Sequence, residues 1–252
     1  GWALTRFGTG EADFRTAFII AGGVGAAGFV SALLLLREPP SRAKSDDPRS
    51  IPARMKAFSV AGATPGVLYP LVILTVLAFC MAGLEATFAL WTERQLHWGV
   101  REVSIFFLYI GGIMVLVQGG LVRPLAKRLG EGKLVVAGTL LMSIGYATVL
   151  FVFAPPLAFA GGALIAVGFG LANPSLTALI SRNAPDEHQG AAMGASQSAQ
   201  SLCRILGPIM AGAAFSGFGR DAPYLAGAII LFIGFLIAIR ALKVAARSQS
   251  PG

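Results

Sequence analysis

PDEHQGAAMGASQSAQSLCRILGPIMAGAAF, from Pro185 to Phe215, is the stretch on which the fold reading turns. Its inner part, Ala191 to Phe215, is long enough to cross a bilayer, because about 20 helical residues span the hydrocarbon. It is nonetheless much less apolar than the segments around it. Gln197, Ser201, Arg204 and Pro208 recur at steps of four, three and four, so they share one face of a helix. Gly190, Gly194 and Ser198 form a small-xxx-small series on another face, where a second helix could approach closely. Arg204 lies near the middle of the span. A cation at that depth costs about 2.5–3.5 kcal/mol on insertion scales, so it should face a partner or a wet cavity rather than lipid. A helix lying flat on the membrane surface is the competing reading. Such a helix carries Lys and Arg along its polar face, and here only Arg204 is charged. The stretch therefore reads as a spanning helix that borders a solute path.

The rest of the chain agrees. Of 252 residues, 55% are hydrophobic and 13% charged, and mean hydropathy is +0.72. A soluble domain is typically about 25% charged, so this is an integral membrane protein. The 32 glycines suit helices that pack closely in lipid. Cys80 and Cys203 both fall in apolar spans, with no disulfide framework and no metal spacing. His97 and His188 lie in loops far apart in sequence. No metal and no cofactor is expected.

Seven spans are expected: Phe14–Leu36, Leu68–Trp91, Val103–Val122, Leu134–Phe153, Leu157–Ile180, Ala191–Phe215 and Tyr224–Ala241. Residues 1–12 are a glycine-rich lead-in, and Arg37 to Lys56 reads as a proline- and charge-rich linker. The segments TERQLHWGVRE, RPLAKRLGEGK and SRNAPDEHQG read as loops, with Asp186 a helix N-cap. Pro174 is placed to kink the fifth span. The net charge of +8 is a topological signal. Alternate loops hold fourteen and five of the 20 Lys and Arg residues, Arg204 being the last. By the positive-inside rule this puts the N-terminus outside and the C-terminus in the cytoplasm. It also accounts for the basic composition without a nucleic-acid partner. The chain begins with Gly rather than Met and has no signal peptide ahead of its first span, so it reads as part of a longer protein.

Four places resemble the major facilitator superfamily, and within it the drug:proton antiporter branch that includes tetracycline-efflux-like proteins. Gly83-Leu84-Glu85-Ala86-Thr87-Phe88-Ala89-Leu90 looks like that branch's helix 7. Gln118-Gly119-Gly120-Leu121 through Arg128-Leu129-Gly130-Glu131 looks like its helix 8–9 junction. Gly168 to Pro174, Ser181 and Pro185 to Gly190 look like helix 10 and its following loop. Arg204-Ile205-Leu206-Gly207-Pro208 looks like helix 11. The resemblance implies an all-α membrane protein whose seven helices correspond to helices 6–12 of a twelve-helix fold. Residues 1–36 would hold the end of helix 5 and helix 6 of the N-terminal bundle. Residues 37–66 would be a cytoplasmic inter-bundle loop, 67–242 the C-terminal six-helix bundle, and 243–252 a cytoplasmic tail. The branch's helix 5 signature would fall upstream of Gly1. One departure matters: an Asp usual three residues before the loop glycine is Lys127 here, given Gly130 as that glycine. No gating role is carried onto this loop.

Of the twelve acidic residues, only Glu85 lies well inside a span. It sits about five residues past the middle of its span, roughly 7 Å toward the outside at 1.5 Å per residue. Ala78, Met81, Ala82, Phe88, Ala89 and Thr92 share its face, a small, soft and aromatic surface suited to a lipophilic solute. Burial raises a carboxylate's pKa and a nearby cation lowers it. An intramembrane Glu can thus couple protons, or be tied structurally to Arg204. Helices 7 and 11 are neighbours in the family's fold, which makes a Glu85–Arg204 ion pair the sharp expectation. Gln118, Asn173, Gln197 and Gln200 are amides at membrane depth, able to bond a solute or a neighbouring helix. Phe88, Tyr109 and Phe169 either line the cavity or pack. Trp91 and Trp98 are expected in the interfacial belt.

There is no Gly-rich phosphate loop, no paired carboxylates and no Cys/His cluster, so no enzyme is indicated. The reading is one half of a secondary transporter in a bacterial inner membrane, working by alternating access with a missing N-terminal bundle. Proton-driven efflux of a drug-like or lipophilic small molecule is the branch-level expectation; proton symport of a metabolite is the alternative. A seven-helix receptor and a structural membrane subunit are the rivals from other classes.

Overall fold

The computed structural model describes residues 14–35 and 65–248. The lead-in, the whole Arg37 to Lys56 linker and the last four residues lie outside the described residues. Eight α-helices follow in order: α1 Phe14–Leu35, α2 Pro65–Leu96, α3 Val100–Leu116, α4 Val122–Leu129, α5 Glu131–Val149, α6 Pro155–Asn183, α7 Gln189–Phe218 and α8 Ala222–Ser248. A π-turn, Val117–Leu121, joins α3 to α4 without a break, and a 3-10 turn, Asp186–His188, precedes α7. No strand occurs among the described residues. Among the described residues, six helical stretches are long and apolar enough to cross a membrane, and α1 carries a shorter apolar run, Gly22–Leu34. Large apolar side chains such as Leu108, Leu202, Ile209 and Ile229 stand exposed along these helices, as lipid contact requires.

Local chemistry sets the helix ends. Glu102 reaches back to the Gly99 N–H at 2.9 Å and caps α3. Pro155 and Pro156 start α6, where a missing N–H costs nothing. Gly130 (φ 83°) and Gly219 (φ 101°) end α4 and α7 in a backbone region that favours glycine. Several loop expectations are corrected here. Thr92 to Leu96 continues α2, Val122 to Leu129 is helical, and Ser181 to Asn183 completes α6. Asp186 is not the cap of α7: that position is His188, with no side-chain cap bond. The C-terminal stretch stays helical to Ser248.

Bundle packing rests on glycine-lined contacts and on hydroxyls that find carbonyls. A Cβ on Gly138 of α5 would stand 2.5 Å from the Gly168 carbonyl of α6, and a Cβ on Gly168 would stand 2.5 Å from the Gly138 carbonyl. Between α2 and α7, a Cβ on Gly207 would lie 2.9 Å from that of Ala82. The small-xxx-small series expected to do this packing does not: Gly190 and Gly194 have nothing within 4 Å, and Ser198 is exposed. Buried Tyr146 donates to the Cys80 carbonyl at 2.6 Å, and Ser143 donates to the Ala228 carbonyl at 3.0 Å. Tyr146→Phe is expected to leave that carbonyl unpaired by its hydroxyl and to cost about 1 kcal/mol. Chemical unfolding in mild detergent measures it; an unchanged midpoint would show that the bond adds nothing.

Trp91 and Trp98 are also corrected. Both are buried, at 1% and 7% exposure, rather than facing a lipid interface. Trp91 stacks edge-on to Tyr224 and donates its indole N–H to Asp221 at 2.9 Å, so its polar edge is satisfied inside the protein.

Candidate functional site

Phe106, Phe107, Ile110, Gly111 and Met114 repeat at helical spacing along one side of α3. That side meets Met81, Leu84, Glu85 and Phe88 of α2 across a cavity of about 170 Å³. Ala158, Gly162 and Ile165 of α6 close its back. Gly162 is required there, because a Cβ would stand 2.6 Å from the Phe106 ring. Phe88 stacks on Phe106 with centroids 4.2 Å apart, and Phe107 meets Phe88 edge-on at 5.8 Å. The lining is aliphatic and aromatic with one ionisable group, the Glu85 carboxylate. Glu85 is exposed, and among the described residues it has no ion pair and no side-chain hydrogen bond. A solitary carboxylate at the mouth of an apolar, aromatic cavity suits a lipophilic guest that needs one polar contact.

The expected Glu85–Arg204 ion pair is not made. Helix geometry gives the reason. Gly83 of α2 faces Ala211 and the Gly207 carbonyl of α7. Glu85 lies two residues on, about 200° further round at 3.6 residues per turn, and so turns toward α3. Arg204 is exposed on α7, on the same side as Gln197, which is also exposed. Gln200 is half-buried, and its amide donates to the Ser196 carbonyl of its own helix at 3.4 Å. Gln118 is exposed in the π-turn, and a Cβ on Gly170 of α6 would stand 3.8 Å from its Cγ. Asn173, one turn beyond Gly170, is half-buried. Only Glu85 and Phe88 among the expected site residues meet at the cavity; Gln118, Asn173, Gln197, Gln200 and Arg204 lie on other surfaces. Of the Glu85 face read from the sequence, Met81 and Phe88 line the cavity, whereas Ala82 packs on Gly207 and Thr92 bonds the Phe88 carbonyl. Tyr109 packs against Phe159, and Phe169 against the core.

The Major Facilitator Superfamily model matches residues 1–208 and, in a second match, residues 120–251. The chain belongs to this superfamily. Membership places it among transporters rather than enzymes, and removes the receptor reading. The tetracycline resistance protein, class C, of Escherichia coli is 28% identical over 64% of the chain and 41% of that protein. The quinolone resistance protein NorA of Staphylococcus aureus is 25% identical over 88% of the chain and 58% of that protein. The chain thus spans about half the length of these relatives. The crystal structure of the human organic anion transporter MFSD10 (TETRAN) superposes with a TM-score of 0.63 at 20% identity, covering 82% of the chain and 44% of that structure. That likeness establishes the fold.

Proposed function

We propose that this superfamily member forms one wall of a proton-coupled efflux transporter for lipophilic small molecules. The observation that carries the reading is the Glu85 carboxylate, exposed and without a counter-ion among the described residues, at the mouth of the aromatic cavity between α2, α3 and α6. A carboxylate so placed can exchange its proton for a solute contact as the cavity opens to either side. The names of the bacterial relatives, resistance to tetracycline and to quinolones, suit the same solute class. The apolar lining favours efflux of such a solute over symport of a polar metabolite. α2 to α8 supply one bundle; a second bundle, as in the longer relatives, supplies the facing wall, and the two rock about a midplane site. The charge asymmetry of the loops orients the bundle with its C-terminal end in the cytoplasm, in the inner membrane of a bacterium.

The test is solute-driven proton movement in vesicles containing the complete two-bundle protein, followed with a trapped pH-sensitive dye. Addition of a lipophilic cation or tetracycline-like solute is expected to move protons opposite to the solute. No proton movement with accumulation intact would end the coupling proposal. The 252-residue chain alone, reconstituted in the same vesicles, is expected to accumulate no solute against a gradient, since one wall cannot alternate access.

A further inference from the structure

A second cleft lies on a face of α2 neighbouring that of the Glu85 cavity, with Leu84 bordering both. It measures about 190 Å³ and runs between α7 and α8 over Tyr224, with Met210 and Ala214 on one lip and Pro223, Gly227 and Ile230 on the other. Its lips are continuous with the exposed apolar belt: Leu206 and Ile209 stand beside it on α7, and Ile229 and Ile233 on α8. Its lining is apolar apart from Thr87, Cys80 and the Tyr146 and Tyr224 hydroxyls, and its lips run into that exposed apolar belt, which suits a lipid-facing cleft. Along α8 its lining runs from Pro223 to Ile230, about 10 Å at 1.5 Å per residue. That is about a third of a hydrocarbon core roughly 30 Å thick, so the cleft stays within one leaflet.

The mouth of the cleft is cationic. Arg94 lays its guanidinium 4.8 Å over the ring of Phe215, the residue after Ala214. Arg220 donates to the Arg94 carbonyl at 3.5 Å. Asp221 lies 3.7 Å from the Arg220 Nε and already accepts the Trp91 indole. Glu93 is the next residue on α2, about 100° round the helix from Arg94. Arg94 has no carboxylate partner among the described residues. Two guanidinium groups against one carboxylate leave a net positive rim at the end of an apolar channel that stays within one leaflet.

We propose that the α7–α8 cleft seats one acyl chain of a membrane glycerophospholipid whose phosphate is held at the rim by Arg94 and Arg220. Guanidinium and phosphate match as planar donor and tetrahedral oxyanion, and the chain below fills space that α7 and α8 leave between them. The lipid would then join two helices that otherwise touch little.

Native mass spectrometry of the full 252-residue chain, released from bilayers of phosphatidylglycerol and phosphatidylcholine, tests this. One phospholipid per chain is expected to persist under activation that strips the rest. Ala214→Phe fills the cleft and should abolish the retained adduct. Arg94→Gln should lower retention about fivefold, the effect of about 1 kcal/mol per surface arginine. Helicity by circular dichroism accompanies each variant. If Ala214→Phe does not fold, quenching of tryptophan fluorescence by phospholipid brominated on its acyl chain replaces it, since Trp91 packs against Tyr224 in the cleft floor; Arg94→Gln should weaken that quenching. A chain that keeps no phospholipid, a folded Ala214→Phe that keeps it fully, or a second protein copy in its place would overturn the proposal.

Discussion

Glu85→Gln in the complete transporter is expected to reduce proton-coupled solute flux to background while leaving insertion and folding unchanged. Gln keeps the size and one carbonyl oxygen of the carboxylate but has no site to gain or lose a proton near neutral pH. The folded state should tolerate the change, because the Glu85 side chain is exposed and makes no hydrogen bond or ion pair among the described residues. Surface changes of that kind usually stay within about 0.5 kcal/mol. Glu85→Asp withdraws the carboxylate by one methylene yet keeps its chemistry, so coupling should survive with altered solute affinity. The two variants separate a proton-carrying role from a packing role. The measurement is the ratio of protons moved to solute moved in sealed vesicles at two values of pH. An unchanged ratio in Glu85→Gln would make the carboxylate a solute contact at most.

The parts of this chain that were legible in its sequence are those set by composition and spacing. Runs of about 20 apolar residues can only be helices in lipid, and four of the six spans expected from α2 onward fall within one observed helix; Val103–Val122 runs from α3 through the π-turn into α4, and Leu134–Phe153 overruns the end of α5 at Val149. Helix ends were harder. Thr92 to Leu96 and Val122 to Leu129 are polar, so hydropathy ends the span before the hydrogen-bonded backbone ends. At the site, Glu85 stood out because a lone carboxylate in an apolar run is rare. Its partners did not, because Phe106, Ile110 and Met114 look like any packing stripe until α3 is placed against α2. The Glu85–Arg204 pairing failed for a related reason. Neighbouring helices were the right premise, but the contact face of α2 is fixed by Gly83 and Ala82, and that face turns Glu85 away. Sequence spacing gives angles around one helix, not the rotation of that helix against its neighbour.

The same limit applies to glycine, and it makes the second large prediction. Gly194 belongs to the regular small-residue series Gly190, Gly194 and Ser198, whereas Gly138 and Gly168 stand outside it. Yet a Cβ on Gly168 would stand 2.5 Å from the Gly138 carbonyl oxygen, 2.8 Å from the Met142 N and 2.8 Å from the Met142 Cγ. Two of those atoms are backbone of α5 and cannot rotate away. Gly168→Ala must therefore push α5 from α6 along the most extensive helix contact in the bundle. Overpacking costs about 1–3 kcal/mol in ordinary cores, and Gly168→Leu should exceed that and prevent assembly. Gly138→Ala opposes the same approach from the other side, so the double alanine variant should cost less than the two singles added together. Gly194→Ala, with open space around it, should melt with the wild type and serves as the control. Monodisperse protein recovered in mild detergent, and its melting temperature, read all five variants. Wild-type melting in Gly168→Ala would mean that α5 and α6 can separate at no cost, and the helix pair behind the Glu85 cavity would not be the rigid support that the site requires.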